Sequence, residues 1–337
     1  MQSSNSAPEV VVADIGATFV RAALARGHEL GPIIMRAVAD LPRDPKLGIV
    51  PSVARLLGEA VNAGWPGRAA PALPRAAGIG ICAAVDGVSA IQKPLPFGVP
   101  AGRAVADVVG QTIGVPVAID NDANMAALGE LRYGAGRGFR DFLMLTLGTN
   151  IGMGVVAGGQ VLRGAHGGAG EAGMLLFPVR TASRADRPGD AREVDAGQLG
   201  KSQSRAPEGY AWIEELVGGG AIARALGERW SASTRLSSGN LRVLREAASG
   251  DADANFVLDR ALEGWAFAIA NYVALFDPAA IILAGGLSDD IAPFLQRLQD
   301  RAAALSRAEP HLAVAQLGSK GGLIGASVAA AAEIARA

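Results

Sequence analysis

The sequence predicts an α/β protein of two domains, and three observations carry that expectation. The chain has 337 residues, 50% of them hydrophobic, enough for a buried core and more than a single core usually organises. Short apolar runs rich in β-branched residues alternate with longer stretches of helical spacing, the pattern of sheets covered by helices. Two glycine-rich turns, Asp14–Thr18 and Gly148–Gly152, sit in matching strand–turn–strand settings, which points to an internal duplication.

Residues 10–15 (VVVADI) are a β-rich run, and a second run, Phe19 to Ala25, follows the first glycine turn, so a hairpin is expected there. Val53, Leu56, Leu57, Ala60 and Val61 give residues 50–63 one apolar helical face. Ala76–Cys82 and Pro116–Ile119 read as buried strands. Asn121-Asp122 then opens a helix over Ala123–Arg132, because Asn or Asp ahead of an Ala/Leu/Met run is a natural N-cap. Phe142–Leu147 is a strand, followed by the second glycine turn and a further strand. Residues 178–209 hold Arg180, Arg184, Arg187, Arg192 and Arg205 among Pro, Ser, Asp and Gly, without periodicity, and are expected to form a long surface loop. Trp212–Arg229 and Asn255–Phe276 have helical spacing. Ile281–Ala284 is a buried strand ending in Gly285-Gly286, and an Ala-rich helix over Leu323–Ala335 closes the chain.

Composition excludes several classes of function. A net charge of -1 gives no long-range attraction for nucleic acid or an anionic membrane. Lys46, Lys93, Lys201 and Lys320 are too scattered to form a basic stripe. Cys82 is the only cysteine, which excludes an intramolecular disulfide framework and a multi-cysteine zinc site. It lies in an apolar run and is expected to be a small buried hydrophobe rather than a reactive thiol. The first ten residues lack the basic and apolar regions of a signal peptide, and no apolar stretch is long enough to span a bilayer, so a soluble, cytoplasmic protein is expected. The 45 glycines, about twice ordinary usage, cluster where tight turns or close backbone approach are needed.

Five segments could carry chemistry. In Asp14-Ile15-Gly16-Ala17-Thr18 a glycine turn between strands offers backbone N–H groups to an anion, Thr18 adds a hydroxyl, and Asp14 could hold Mg²⁺ directly or through water. The alternative is an ordinary hairpin turn. Leu147-Gly148-Thr149-Asn150-Ile151-Gly152 repeats the design, and neither turn has the Gly-Lys-Ser/Thr of a P-loop. In Asp120-Asn121-Asp122-Ala123-Asn124 a strand gives way to a helix, where open α/β sheets bind ligands. The helix dipole keeps Asp122 ionised, so it can take a proton from a hydroxyl, and Asn121 could bind a second hydroxyl. One of these polar groups is needed simply to cap the helix. Glu171, among the glycines of residues 164–173, is either an acceptor for vicinal hydroxyls or a solvated loop residue, and His166 in the same loop reads as solvated or capping. Gly285-Gly286 is either a nucleotide-binding turn or a plain strand-to-helix turn.

Taken in order, these segments resemble the ROK family (repressor, open reading frame, kinase) of the actin and hexokinase superfamily. The resemblance rests on Asn121-Asp122-Ala123-Asn124 with Ala127-Leu128-Gly129-Glu130, on Leu147-Gly148-Thr149, on Arg163-Gly164-Ala165 through Gly170-Glu171, and on Gly285-Gly286 with Leu323-Ile324-Gly325-Ala326. It implies a two-domain actin-like ATPase (ribonuclease H-like) fold with duplicated mixed β-sheets flanked by helices. The smaller lobe would comprise residues 1–120 with 321–337, the larger lobe residues 121–320, and the active site the cleft between them. It implies an ATP-dependent, Mg²⁺-requiring kinase acting on a hexose or N-acylhexosamine hydroxyl, O6 in a glucokinase-like reaction. Asp122 would be the catalytic base. Asn121, Glu171 and Glu214, the last ahead of Gly218-Gly219-Gly220, would bind the sugar. Asp14, Gly16, Thr18, Thr149, Gly285 and Gly286 would serve phosphates and metal. A homodimer is the family-level expectation.

Four departures from the family pattern stand out. Ala17 replaces the usual second glycine of the first turn, which alanine tolerates only at negative φ. Met174 replaces the histidine that usually follows Glu-x-Gly. The three zinc cysteines are absent, so no zinc site is expected. Lys93-Pro94-Leu95-Pro96 lacks the usual asparagine. These changes bear on substrate identity, and two other readings stay open: a catalytically degenerate sugar-binding regulator and a polyphosphate-using sugar kinase. About nine residues precede the first strand, too few for a helix-turn-helix domain, so DNA binding is not expected.

Overall fold

The computed structural model describes residues 7–67, 73–83, 85, 105–148, 150–178, 206–207, 210–222, 250–285 and 291–336. Two compact units emerge from the contacts. The first holds Met1–Met144, Gly154–Gly170 and Ala315–Ala337, and the second Leu145–Met153 and Glu171–Val314.

In the first unit, β1 (Glu9–Ile15) and β2 (Phe19–Arg26) form the expected hairpin, extended by the short strands β3 (Glu29–Leu30) and β4 (Ile34–Ala37), both paired with β2. β5 (Ala77–Ile81) pairs parallel to β1, and β6 (Val117–Asn121) parallel to β5. The alternation of β1 decides what lies on each face. Val11, Ala13 and Ile15 join a core with Val53, Leu56, Leu57 and Ala60 of α1 (Val50–Ala63) and with Val105 and Val109 of α2 (Val105–Ile113). Val10 and Val12 face a second cluster that includes Met125 of α3 (Asp122–Tyr133). Burying each of the larger aliphatic side chains contributes about 1.5–3 kcal/mol. The predicted span of α1 matches the observed one, because its i, i+3, i+4 spacing is fully used.

The remaining elements run along the chain as β7 (Phe142–Leu147), β8 (Ile151–Ala157), β9 (Gln160–Leu162), β10 (Leu176–Pro178), β11 (Tyr210–Trp212), α4 (Ile213–Val217), α5 (Ala252–Phe276), β12 (Ala280–Ala284), α6 (Leu295–Leu305), β13 (Leu312–Val314) and α7 (Gly321–Ile334). A second sheet has the order β13-β12-β7-β8-β9, and β10 and β11 pair as a separate ribbon. In the second unit α5 is anchored on α6 by Asp259, which accepts from Arg297 and Arg301, and on α4 by Trp265, whose Nε1 donates to the Val217 carbonyl at 3.0 Å.

Two elements differ from the sequence expectation. The helix expected over Trp212–Arg229 is interrupted at Gly218, whose extended backbone ends α4 after five residues; helix resumes over residues 219–222, and residues 223–229 lie outside the described residues. Residues 121–144, 154–170 and 315–320 belong with the first unit, not beyond a boundary at residue 120. The cause is the crossing of α3 and α7, where a Cβ at Gly129 would meet the Gly321 carbonyl at 2.6 Å and one at Gly325 would collide with the Met125 carbonyl. Glycine pairs let the two helices touch backbone to backbone. Glu130 reinforces the contact: its fully buried carboxylate accepts the N–H groups of Ala135, Gln316 and Leu317. Most of the surface loop expected over residues 178–209 lies outside the described residues, as do Thr149, Gly286 and Lys93–Pro96.

Candidate active site

The first unit aligns three strand ends. Ile15 pairs with Ile81, and Ile81 with Asn121. The residues that follow are therefore Gly16, Cys82 and Asp122, at the carboxyl edge where α/β sheets bind ligands. One step earlier Asp14, Gly80 and Asp120 form a row on one face, with Asp14 and Asp120 about 10 Å apart at Cα by the ordinary strand spacing. Asp14 and Asp120 are both buried, at 7% and 6% exposure. Each is ion-paired to an arginine, Asp14 to Arg21 and Asp120 to Arg163.

The first glycine turn is closed by the Gly16 N–H donating to the Phe19 carbonyl at 3.0 Å. Ala17 and Thr18 are exposed, and among the described residues their N–H groups donate to no backbone carbonyl. Ala17 is not at positive φ, so alanine is accommodated without strain. This is a turn with N–H groups to offer an anion. Arg21 takes Oδ2 of Asp14, and its other nitrogen donates to the Ser319 carbonyl at 2.5 Å. A Cβ at Gly322 would lie 3.3 Å from the same carboxyl group, so the start of α7 packs directly on Asp14. Mg²⁺ in phosphotransfer sites takes one or two carboxylates together with substrate phosphates and water. A carboxylate beside an anion-accepting turn fits that donor set.

At the start of α3 the polar groups divide their tasks. Asn121 is the cap: its Oδ1 accepts from the Ala123 and Asn124 N–H groups at 2.9 and 3.4 Å, and its Nδ2 donates to the Ala83 carbonyl at 3.2 Å. Among the described residues, the second amide hydrogen of Asn121 has no acceptor and remains for a ligand. Asp120 accepts from the Asn121 N–H, from Asn124 Nδ2 and from Arg163 Nε. Asp122 is half-buried, and its Oδ1 accepts from the Ala123 N–H at 2.9 Å in the first turn of the helix. Cys82 is packed against the core. Burial, reinforced by the negative charges of Asp122 and Asp14, pushes its thiol up to about 12.

The second unit gathers the other predicted residues. Glu171, exposed, precedes a 3₁₀ turn over Ala172–Met174. Glu214 lies on α4 against that turn, where a Cβ at Gly173 would meet the Glu214 carboxylate and the Ile151 carbonyl, each at 2.6 Å. Burial raises the Glu214 pKa, a backbone hydrogen bond at Ile151 opposes the rise, and the charges of Glu171 and Glu215 add to it. The two predicted sugar carboxylates are therefore electrostatic neighbours. Met174 stands exposed at the end of the turn. The Gly148 carbonyl accepts the Gly219 N–H at 2.8 Å, which ties the second glycine turn to the glycine run after α4. Gly285 ends β12 at φ 93, and a Cβ there would collide with Leu147, so only glycine fits.

Three residues at these sites have no role assigned from sequence. Arg21 and Arg163 partner the buried aspartates, and Tyr272 donates its buried hydroxyl to the Ala172 carbonyl at 2.9 Å, holding the turn after Glu171. A pairing signal existed for Arg21, which is the register partner of Asp14 in a predictable hairpin. The other two contacts join residues 43 and 100 positions apart and leave no local trace.

This architecture is that of the actin-like ATPase class, seen in the ROK hexokinase from Thermus thermophilus (26% identical, TM-score 0.68, covering 98% of this chain and 100% of that one) and in a ROK family glucokinase from Streptomyces griseus in complex with glucose and AMPPNP (25%, TM-score 0.68, 96% and 99%). The sequence model of the ROK family matches residues 67–333, and the chain belongs to that family. It is 32% identical over 326 residues to the bifunctional enzyme NanE/NanK of Brucella melitensis, covering 96% of this chain and 54% of that protein. The chain thus spans about half the length of that relative. A glucokinase of Streptomyces coelicolor is 30% identical over 234 residues, covering 64% of this chain and 67% of that one.

Proposed function

We propose that this protein transfers the γ-phosphoryl group of ATP to a hydroxyl, O6, of a hexose or N-acylhexosamine. The observation that carries the reading is the register Ile15–Ile81–Asn121, which brings a turn with N–H groups to offer and a carboxylate at a helix N-terminus to the same sheet edge, one strand apart across β5. That is the pairing phosphoryl transfer needs, a grip on phosphate beside a base.

Asp122 accepts the sugar hydroxyl proton as the oxygen attacks the γ-phosphorus. The new O–P bond forms as the bond to the ADP oxygen breaks, and the proton rests on Asp122. Its place in the first turn of α3 favours the ionised state it must start from. General-base assistance of this kind contributes about 10²–10⁴-fold. The N–H groups of Ala17 and Thr18 hold phosphate oxygens, and Gly16 lets the chain turn tightly there. Asp14 would hold Mg²⁺, which when bound neutralises phosphate charge. Glu171 and Glu214 accept hydrogen bonds from sugar hydroxyls, and the remaining amide hydrogen of Asn121 donates to another. Thr149, Gly285 and Gly286 serve the nucleotide. Support comes from the family membership and from the names of the relatives, each a sugar kinase in whole or in part.

The test is a coupled assay of ADP release over a panel of hexoses and N-acylhexosamines, with a parallel measurement of sugar phosphate formed from polyphosphate. Sugar-stimulated turnover with ATP is expected. Turnover with polyphosphate alone would overturn the donor, and none with either donor would overturn the enzyme.

A further inference from the structure

Asp120 lies one residue before the cap of α3 and two before the proposed base. It is buried, and every hydrogen bond it accepts bears on the site: Oδ1 takes the Asn121 N–H at 2.8 Å and Asn124 Nδ2 at 2.9 Å, and Oδ2 takes Arg163 Nε at 2.7 Å. A buried carboxylate needs a compensating cation, and Arg163 is the cation paired with it. Arg163 is also the pinch point of the glycine loop, since its carbonyl accepts the Ala169 N–H at 3.0 Å. Inside that pinch a Cβ at Gly164 would lie 3.2 Å from the Ala169 side chain, so the loop is drawn tight at its base. Arg163 therefore closes the loop through its backbone and fastens it to Asp120 through its side chain.

We propose that Asp120 and Arg163 are a positioning pair that locks the glycine loop of residues 163–170 to the start of the base-bearing helix, so that the sugar-facing loop and Asp122 are set by one ion pair. Neither residue touches a reacting atom. The pair acts by fixing the loop and by holding the Asn121 backbone from which α3 starts. This rests on the sugar-kinase reading for its catalytic consequence but not for its structural one.

The test uses the full chain with Asp120→Asn, Arg163→Met, Arg163→Lys and the double variant Asp120→Asn/Arg163→Met. Asp120→Asn keeps the shape and the acceptor for Asn121 and Asn124 while removing the charge that Arg163 needs. The first readout is amide deuterium exchange of the 163–170 peptide, which requires no turnover. Exchange about tenfold faster is expected in Asp120→Asn and in Arg163→Met, the size set by losing roughly one hydrogen-bonded ion pair. The second readout is kinetic: the sugar KM rises about tenfold while the MgATP KM stays unchanged, by the same reasoning. The double variant should be no worse than either single one, because both remove the same contact, and Arg163→Lys should recover part of the loss because it keeps the charge. Loop exchange unchanged in both single variants would overturn the pair. So would additive losses in the double variant. A wild-type chain without sugar turnover would sink the kinase reading and leave the exchange comparison to decide the pair.

Discussion

Asp14 and Arg21 stand opposite each other in the β1–β2 hairpin and form an ion pair. The arginine side chain is 27% exposed and the aspartate 9%, so the pair is mostly shielded from water. Arg21 also donates to the Ser319 carbonyl just ahead of α7, and so links the first glycine turn to the last helix.

Replacing Arg21 by alanine strands the Asp14 charge in a buried position. The expected cost is about 2 kcal/mol, below the range of about 3–5 kcal/mol for a fully buried pair because water reaches the guanidinium. Chemical denaturation measures it, and a variant as stable as the wild type would show that the pair contributes nothing.

Glu214 gives a prediction in pH. In the folded chain its carboxyl pKa is raised above the ordinary carboxylate value of 4.5, chiefly by burial. A raised carboxyl favours folding while protonated, and that stability is lost as pH climbs through the folded pKa. Glu214→Gln, which cannot ionise, should therefore be more stable than wild type at about pH 8, and the gain should shrink towards pH 4.5. Thermal unfolding across that window decides it, and a gain independent of pH would mean that the carboxylate is not held under strain.

The α3–α7 crossing leaves no room for a side chain at Gly325. Gly325→Ala should destabilise the protein by about 1–3 kcal/mol or more, despite the better helix propensity of alanine. An unchanged unfolding midpoint would refute the close contact.

Cys82 should react slowly with an alkylating reagent. With its thiol pushed up to about 12, the thiolate fraction at neutral pH is minute. Alkylation followed by mass spectrometry should be at least about 100-fold slower in the native than in the denatured chain. Equal rates would place Cys82 in an open, polar setting.

Much of this was legible in the sequence because it is written locally. The β1–β2 hairpin, α1 and the start of α3 follow from spacing and capping, and a helix cap at Asn121 was one of three options the sequence offered. What could not be read is long-range. That Asp120 rather than Asn121 carries the ion pair depends on Arg163, brought alongside by the fold from 43 positions away. The grouping of α3 with the first unit depends on glycine contacts with a helix that begins nearly two hundred residues later. The clustered glycines signalled close approach without naming the partner. The interruption at Gly218 within the expected Trp212–Arg229 helix is the opposite case: its sign, the Gly218-Gly219-Gly220 run, is local, but periodic apolar spacing on either side of it masks the break.

The central claim is that Asp122 accepts the proton in phosphoryl transfer. Asp122→Asn keeps the side-chain shape and an acceptor for the Ala123 N–H, so the fold and sugar affinity, read by calorimetry, should hold. Its rate of sugar phosphorylation should fall by at least about 10²-fold. A variant that binds sugar and turns over at the wild-type rate would contradict the account.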